Sequence, residues 1–177
     1  MNLWIFNHYA GIPQNTPGTR TYDLCKRLVA KGHKVTVFAS SFSYYNHIEE
    51  QLTSGEKWRM DDFEGIKFVW LKTFPYQTNS WRRLLNFVEF SWRAYWVGRN
   101  KIIKTGTPDV IIGTCVHPLA PLVAWLLSKR YKTVFCYEVT DLWPQTLVDM
   151  GALSPKNPIA VFMYSLEKFL FKKSVKI

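Results

Sequence analysis

The sequence predicts a three-layer α/β fold with a mainly parallel sheet. Short apolar runs rich in β-branched and aromatic residues predict five strands, at residues 3–6, 35–38, 66–71, 109–113 and 133–137. Helical segments separate several of these runs, and strands that alternate with helices favour right-handed crossovers between parallel strands. The chain has 177 residues, 47% of them apolar, which is enough to bury one core, so we expect a single domain over residues 1–177.

The first two strands and the segment between them show the repeating unit of this fold. Residues 3–6 and 35–38 contain no alternation of polar residues, which is typical of strands covered on both faces. Apolar residues recur at helical spacing over 22–29, and Gly32 stands where a helix C-cap belongs. The order is therefore strand, loop, helix, strand.

The end of the chain is predicted to form an amphipathic helix over 159–171 and then the beginning of a strand over 174–177. Two interpretations stay open. The domain is either the first part of a longer protein, or a terminal strand completes its sheet.

The net charge of +10 predicts an anionic partner: nucleic acid, a phosphate-bearing ligand or an acidic membrane face. The three cysteines form no CxxC pair, so we expect neither a disulfide framework nor a metal site. The apolar run at the N-terminus is too short for a signal peptide and follows no basic region. We therefore expect a cytoplasmic protein.

Function in such a sheet is expected beyond the carboxyl ends of the strands, here in residues 7–20, 40–57, 72–80, 114–118 and 138–151. The first loop lacks the GxGxxG pattern, which disfavours NAD binding. Gly18 would let backbone N–H groups approach an anion, and Arg20 could contact a phosphate. The alternative is an ordinary long loop with a surface arginine.

Polar and aromatic residues follow the fifth predicted strand. Glu138 and Asp141 stand three residues apart, and Trp143 follows them. Carboxylates accept hydrogen bonds from sugar hydroxyls, and an aromatic face packs against a pyranose ring, so the segment fits a sugar site. The alternative is a turn in which Asp141 caps the next helix and Trp143 belongs to the core.

Two histidines, His8 and His117, follow the first and fourth predicted strands. Each could carry a proton or contact a substrate, and each could equally be a structural hydrogen-bonding residue.

The segment 80–104 combines more apolar residues than one buried stripe requires with six basic residues and a single acid. This pattern is typical of a helix that lies in a membrane interface. The residues assigned to that interface are Trp81, Arg82, Arg83, Trp92, Arg93 and Trp96. The alternative is a helix packed against another part of the protein. Nucleic acid is not expected as a partner, because the aromatic residues lie on a helix and not on an exposed sheet.

Several segments together resemble the N-terminal, acceptor-binding domain of retaining glycosyltransferases of family 4 (group 1), which have the GT-B fold. The segments are 7–9, 17–20, 28–37, 108–113, 138–144 and 166–169. The most specific is Asp-Leu-Trp-Pro at 141–144, and with Leu-Glu-Lys-Phe at 166–169 it looks like the subgroup that builds bacterial surface polysaccharides. Thr140 departs from that subgroup, whose members usually carry Arg there, and the first loop lacks the paired glycines of the wider family.

The resemblance implies a Rossmann-like domain whose C-terminal, nucleotide-sugar-binding partner domain is absent from this chain. It implies no cofactor beyond the nucleotide-sugar as co-substrate, a polyprenyl-pyrophosphate-linked saccharide as acceptor, and a position at the inner face of the cytoplasmic membrane. The isolated chain is then expected to be inactive. The alternative is a stand-alone nucleotide- or phosphate-binding module without catalysis.

The resemblance also implies roles for individual residues. Asp141, Glu138 and His117 are expected to be catalytic. Gly18, Thr19 and Arg20 are expected near the donor phosphate, and His8, Tyr9 and Trp143 are expected to bind the acceptor.

Overall fold

In the computed structural model, residues 1–78, 81–100 and 104–175 are described, and within them six strands form one sheet. The strands are β1 (Asn2–Phe6), β2 (Lys34–Ser40), β3 (Trp58–Phe63), β4 (Ile66–Leu71), β5 (Val110–Thr114) and β6 (Val134–Glu138). Their order is β3-β4-β2-β1-β5-β6. β3 runs antiparallel to β4, and the other neighbouring strands pair in parallel. The predicted α/β class is confirmed.

Helices cover both faces of the sheet. They are α1 (Arg20–Ala30), α2 (Trp81–Arg99), α3 (Leu119–Tyr131), the short α4 (Gln145–Asp149) and α5 (Pro158–Lys173). Side chains of α1 enter one core cluster, and side chains of α2, α3 and α5 enter a second. No helix in the described part of the chain is both long and apolar enough to cross a membrane.

β1 shows why a wholly apolar run becomes a central strand. Leu3 and Ile5 pack into the α1-side core, whereas Trp4 and Phe6 pack into the core of the opposite face. Successive side chains of a strand point to opposite faces, so a strand between two helical layers needs apolar residues at every position. Burial of each large side chain contributes about 1.5–3 kcal/mol.

The contact of α3 with β5 depends on Gly113. A Cβ added at Gly113 would lie 2.6 Å from Pro121 Cα and 2.9 Å from Ala124 Cβ. Because the nearest atom is backbone, no side-chain movement could relieve the clash. Glycine therefore allows α3 to pack directly on β5, and this contact fixes the loop between them.

β3 is an additional strand that was not among the five predicted from the sequence. Its sequence, Trp-Arg-Met-Asp-Asp-Phe, is partly buried and forms the edge of the sheet beside β4. Glu64 and Gly65 make the turn between β3 and β4, and both have positive φ, at 52° and 83°. A two-residue turn of this kind connects antiparallel strands.

The end of the chain differs from its prediction in one respect. The helix over 159–171 is present as α5, but Ser174 and Val175 lie in no strand, and residues 176–177 of the predicted strand lie outside the described residues. Ser174 Oγ accepts a hydrogen bond from Tyr137 N at 2.9 Å, and Val175 N donates to Phe135 O at 3.0 Å. The helix predicted over 80–104 is α2; residues 79–80 and 101–103 lie outside the described residues.

Candidate functional site

The candidate site lies where the loops after β1, β5 and β6 meet. These three strands are neighbours and run in parallel, so their carboxyl ends share one edge of the sheet. Two contacts join residues that the sequence places in different loops: His8 with His117, and Arg20 with Glu138. The fold therefore gathers much of the predicted set at one edge.

His8 and His117 form a buried pair. His8 Nδ1 lies 2.9 Å from His117 Nε2, and both residues are almost fully buried. Phe87 stacks on the His117 ring, with ring centres 4.3 Å apart. Burial lowers the pKa of His8 to about 3 and lowers the pKa of His117 well below its ordinary value, and the charge of Arg83 acts in the same direction. Both rings are therefore neutral at physiological pH.

Asn86 borders the histidine pair. Asn86 Nδ2 donates to Thr73 Oγ1 at 2.8 Å and to Phe74 O at 2.7 Å. Asn86 Oδ1 and His117 Nδ1 are buried and have no hydrogen-bond partner among the described residues. The contact between His8 Nδ1 and His117 Nε2 needs one donor and one acceptor, which two neutral rings provide.

Arg20 and Glu138 form an ion pair across the site. Arg20 Nη2 lies 2.7 Å from Glu138 Oε1, and Thr114 Oγ1 donates to Glu138 Oε2 at 2.6 Å. Both carboxylate oxygens of Glu138 are thus engaged. Arg20 is two-thirds exposed, and pairs this open to water contribute about 0–1 kcal/mol, so an incoming anion could compete for the guanidinium.

The other two residues expected near a donor phosphate lie just before α1. Gly18 N donates to Thr16 Oγ1 at 3.2 Å. Thr19 occupies the N-cap position, but its Oγ1 donates to Asp23 Oδ2 at 2.7 Å. The first turn of α1 therefore already carries a carboxylate, and Arg20 provides the positive charge at this end of the helix.

Asp141 and Trp143 lie between β6 and α4. Asp141 is exposed, partial desolvation raises the pKa of its carboxyl, and the charge of Arg83 opposes the rise. Pro144 is the N-cap residue of α4, so Asp141 does not cap that helix. Trp143 is half-buried and packs against the α2-side core, which matches the alternative weighed for it above.

Arg83 lies at the site, although the sequence pattern placed it on a membrane surface. Its Nε and Nη2 donate to Tyr9 Oη at 3.3 and 3.2 Å. Its guanidinium carbon lies 5.6 Å from the ring centre of Tyr44 and 5.4 Å from that of Phe87. One signal was available in the sequence: Arg83 stands three and four residues before Asn86 and Phe87, on the buried side of α2.

A cavity opens beside Tyr9, between the loop after β1 and the loop after β2. Its volume is about 30 Å³, and it opens to solvent at a wide mouth. The lining includes His8, Tyr9, Ser43, Tyr44, Glu50 and Trp70. Trp70 is buried, and its indole N–H has no acceptor within the described part of the chain. The lining thus combines hydroxyl groups, a carboxylate and aromatic rings.

The outward side of α2 carries a continuous apolar stripe. The stripe consists of Trp81, Leu84, Leu85, Val88, Trp92 and Trp96, all exposed. Arg82 lies over the Trp81 ring, and Arg93 pairs with Glu89. An exposed apolar face flanked by basic residues is typical of an interaction surface.

Comparisons with known proteins agree with this fold. The family model described as glycosyl transferase 4-like domain matches residues 15–174. Among solved structures, the chain is similar to one described as "Trehalose-6-phosphate from E. coli bound with UDP-2-fluoro glucose", with a TM-score of 0.52 and 10% sequence identity. The match covers 98% of this chain and 38% of that protein's length. At this identity it establishes a shared fold, which is that of a GT-B glycosyltransferase.

No curated protein matches the chain. The family match covers nearly all of the sequence, from the second half of the first loop to the end of α5. The chain belongs to the glycosyl transferase 4-like domain family.

Proposed function

We propose that this chain is the acceptor-binding domain of a retaining glycosyltransferase that moves a sugar from a nucleotide-sugar to a saccharide acceptor. The observation that carries the proposal is the meeting of the loops after β1, β5 and β6 at one sheet edge in a member of this family. The nucleotide-sugar is held mainly by a second, C-terminal domain. The match to little more than a third of a solved GT-B structure supports this division.

The acceptor in this proposal is a saccharide linked to polyprenyl pyrophosphate, used in building bacterial surface polysaccharides. Support comes from the Asp-Leu-Trp-Pro segment at 141–144, from the charge of +10, and from the basic and aromatic character of α2. An acceptor with a pyrophosphate and a lipid chain requires positive charge and access to a membrane surface.

Positioning and electrostatics account for the chemistry expected of this domain. The reaction is a front-face substitution with retention, in which an oxygen of the donor's own phosphate takes the acceptor proton. Asp141, the exposed carboxylate of the site, accepts hydrogen bonds from acceptor hydroxyls and fixes the attacking oxygen. His117 is a neutral ring whose Nδ1 has no partner among the described residues.

Positive charge faces the donor in the same scheme. Glu138 holds the Arg20 side chain at the edge of the site, and Arg20 stabilises charge that develops on the donor phosphate. Gly18 and Thr19 shape the start of α1 beside it. Tyr9, His8 and Trp143 line the acceptor side.

The apolar stripe of α2 is proposed to lie in the membrane interface. The exposed tryptophans Trp81, Trp92 and Trp96 would enter the headgroup region, with Arg82 and Arg93 close to anionic lipid. Docking in this way presents the lipid-linked acceptor to the sheet edge.

A single substitution tests the proposed role of Asp141. In the full-length enzyme, Asp141→Asn should lower kcat for sugar transfer by at least about 100-fold, because an amide accepts fewer hydrogen bonds and carries no charge. The matched control is Asp149→Asn, an exposed aspartate on α4 whose Oδ1 only accepts from Gln145. Equal kcat values for the two variants would show that Asp141 has no role in the reaction.

A further inference from the structure

We propose that Arg83, held by Tyr9 and Tyr44, binds a phosphate group of a sugar-bearing substrate. The inference rests on the proposed function and names a binding residue for that site. Arg83, which the sequence pattern assigned to a membrane surface, is thereby assigned to the substrate.

The first support is the fixed orientation of the guanidinium. Two of its nitrogens donate to Tyr9 Oη, while the rings of Tyr44 and Phe87 lie within 6 Å of its carbon. Aromatic faces attract a guanidinium, and its planar arrangement of donors suits the oxygens of a phosphate. A cation already ordered in this way loses little conformational freedom when an anion binds.

The second support is the effect of the Arg83 charge on the titratable groups around it. Its charge acts on His8, His117 and Asp141, which come from three different loops of the site. Tyr9 cannot cancel that charge, because burial raises the pKa of its hydroxyl and keeps it neutral. Arg83 therefore supplies positive potential to the centre of the site, and Arg20 adds a second positive charge at its edge.

The third support is the adjoining cavity. Tyr9 and Tyr44, which hold the guanidinium, also line the cavity between the loops after β1 and β2. Glu50 in that lining accepts from Asn46, and Trp70 has an indole N–H without an acceptor among the described residues. The cavity interior has room only for water, so a sugar would lie at its mouth, where its hydroxyl groups and apolar ring face meet polar groups and aromatic rings of the lining. In that position an attached phosphate would lie near Arg83.

Calorimetric binding to this chain tests the proposal. The probes are a water-soluble, short-chain prenyl-pyrophosphoryl N-acetylglucosamine, N-acetylglucosamine alone, and UDP. The variants are Arg83→Gln and, as the matched control on the same helix, Arg99→Gln, which removes the same charge from an exposed position in the last turn of α2. We expect Arg83→Gln to weaken binding of the prenyl-pyrophosphoryl probe at least tenfold and Arg99→Gln to change it less than twofold.

The remaining measurements identify which substrate carries the phosphate and test whether the variant is folded. An Arg83-dependent affinity for UDP instead of the prenyl probe would still support the anion site and assign it to the donor. Circular dichroism establishes whether Arg83→Gln folds. If it does not, Tyr9→Phe removes the hydroxyl that orients the guanidinium and should weaken binding about three- to tenfold.

Equal affinities of Arg83→Gln and Arg99→Gln for every probe would overturn the proposal, as would equal binding of phosphorylated and unphosphorylated saccharide by the unmodified chain. These outcomes are separate from failure of the proposed function. Arg83-dependent phosphate binding together with no sugar transfer by the full-length enzyme would refute the transferase role and leave the anion site in place.

Discussion

His8 and His117 share a hydrogen bond in a part of the site that water does not reach. Their neutral state follows from burial, since a charged imidazole in an apolar environment loses its hydration without compensation. The charge of Arg83 adds to this effect. In acidic solution the unfolded chain gains protons at both histidines while the folded chain keeps them neutral. The free energy of unfolding therefore depends on pH.

We predict that the free energy of unfolding falls as the pH decreases below about 6.5, the ordinary pKa of histidine. In this range the unfolded chain binds protons at these positions and the folded chain does not, so acid favours unfolding. Each histidine contributes a slope of up to about 1.4 kcal/mol per pH unit, and for His8 the slope continues toward its folded pKa of about 3.

Urea unfolding between pH 8 and pH 5 measures this effect. His117→Gln removes one titrating group and should reduce the slope between pH 6 and 5 by about 1.4 kcal/mol per unit. Measurements between pH 7.5 and 8 serve as the internal control, because neither histidine is protonated there in either state. Identical slopes for the variant and the unmodified chain would mean that His117 is charged in the folded protein.

For single residues, the sequence predicts the place in the fold better than it predicts which other residues they contact. His8, His117 and Asp141 were expected at the carboxyl ends of strands, since parallel topology alone brings those ends together. The pairing of Arg20 with Glu138 could not be predicted, because it depends on how α1 and β6 are placed in space. Arg83 was assigned to the wrong surroundings by composition, which does not distinguish the two sides of a helix.

The helix α2 is apolar on two sides for different reasons. Phe87, Phe90, Ala94 and Val97 are buried against the sheet and α3, whereas the stripe from Trp81 to Trp96 faces outward. The buried side belongs to the fold. The outward side has no such role within the described residues, and its composition supports the membrane proposal.

We predict that Trp92→Ser weakens binding of the chain to anionic vesicles by about 10- to 150-fold, because an exposed indole that enters the membrane interface contributes about 1.5–3 kcal/mol of transfer free energy. Sedimentation with vesicles containing an anionic lipid measures the partition. Phe162→Ser is the matched control, since Phe162 on α5 is as exposed as Trp92 but lies on another helix. Equal losses for both variants, or no loss for either, would indicate that the stripe contacts protein.

The edge strand β3 shows where pattern analysis of an element fails. Its acidic pair Asp61–Asp62 interrupts the alternation that identifies a half-buried strand, so the segment was not predicted as a strand. The turn that follows it consists of an acidic residue and a glycine, Glu64 and Gly65, both with the positive φ of a two-residue hairpin turn. The central strands were predictable because burial on both faces leaves them almost no polar residues.

At the scale of the whole molecule, the two helical layers fix the sheet while its carboxyl edge remains available for ligands. The α1-side core and the α2-side core together cover both faces of the central strands. The functional loops thus lie on a rigid support, as expected for a site that works through positioning.

We predict that the 177-residue chain alone transfers no sugar. In the proposed enzyme this domain binds the acceptor and reaches only the phosphate of the donor, whereas the second domain holds the donor itself. A transfer assay with a radiolabelled nucleotide-sugar and lipid-linked acceptor tests this. The control is the full-length enzyme in the same assay. Transfer by the purified chain at a rate near that of the control would show that the site is complete within this domain.

The hydrogen bonds of Ser174 and Val175 to β6 have a consequence for solubility. A sheet edge with open backbone groups can recruit a strand from another molecule and begin aggregation. The outward N–H of Tyr137 donates to Ser174 Oγ, and the outward carbonyl of Phe135 accepts from Val175 N. β6 therefore offers a poor template for such pairing. At the opposite edge the charged side chains of β3 oppose strand addition. The polar segments at both margins of the sheet therefore protect a chain that is nearly half apolar from self-association.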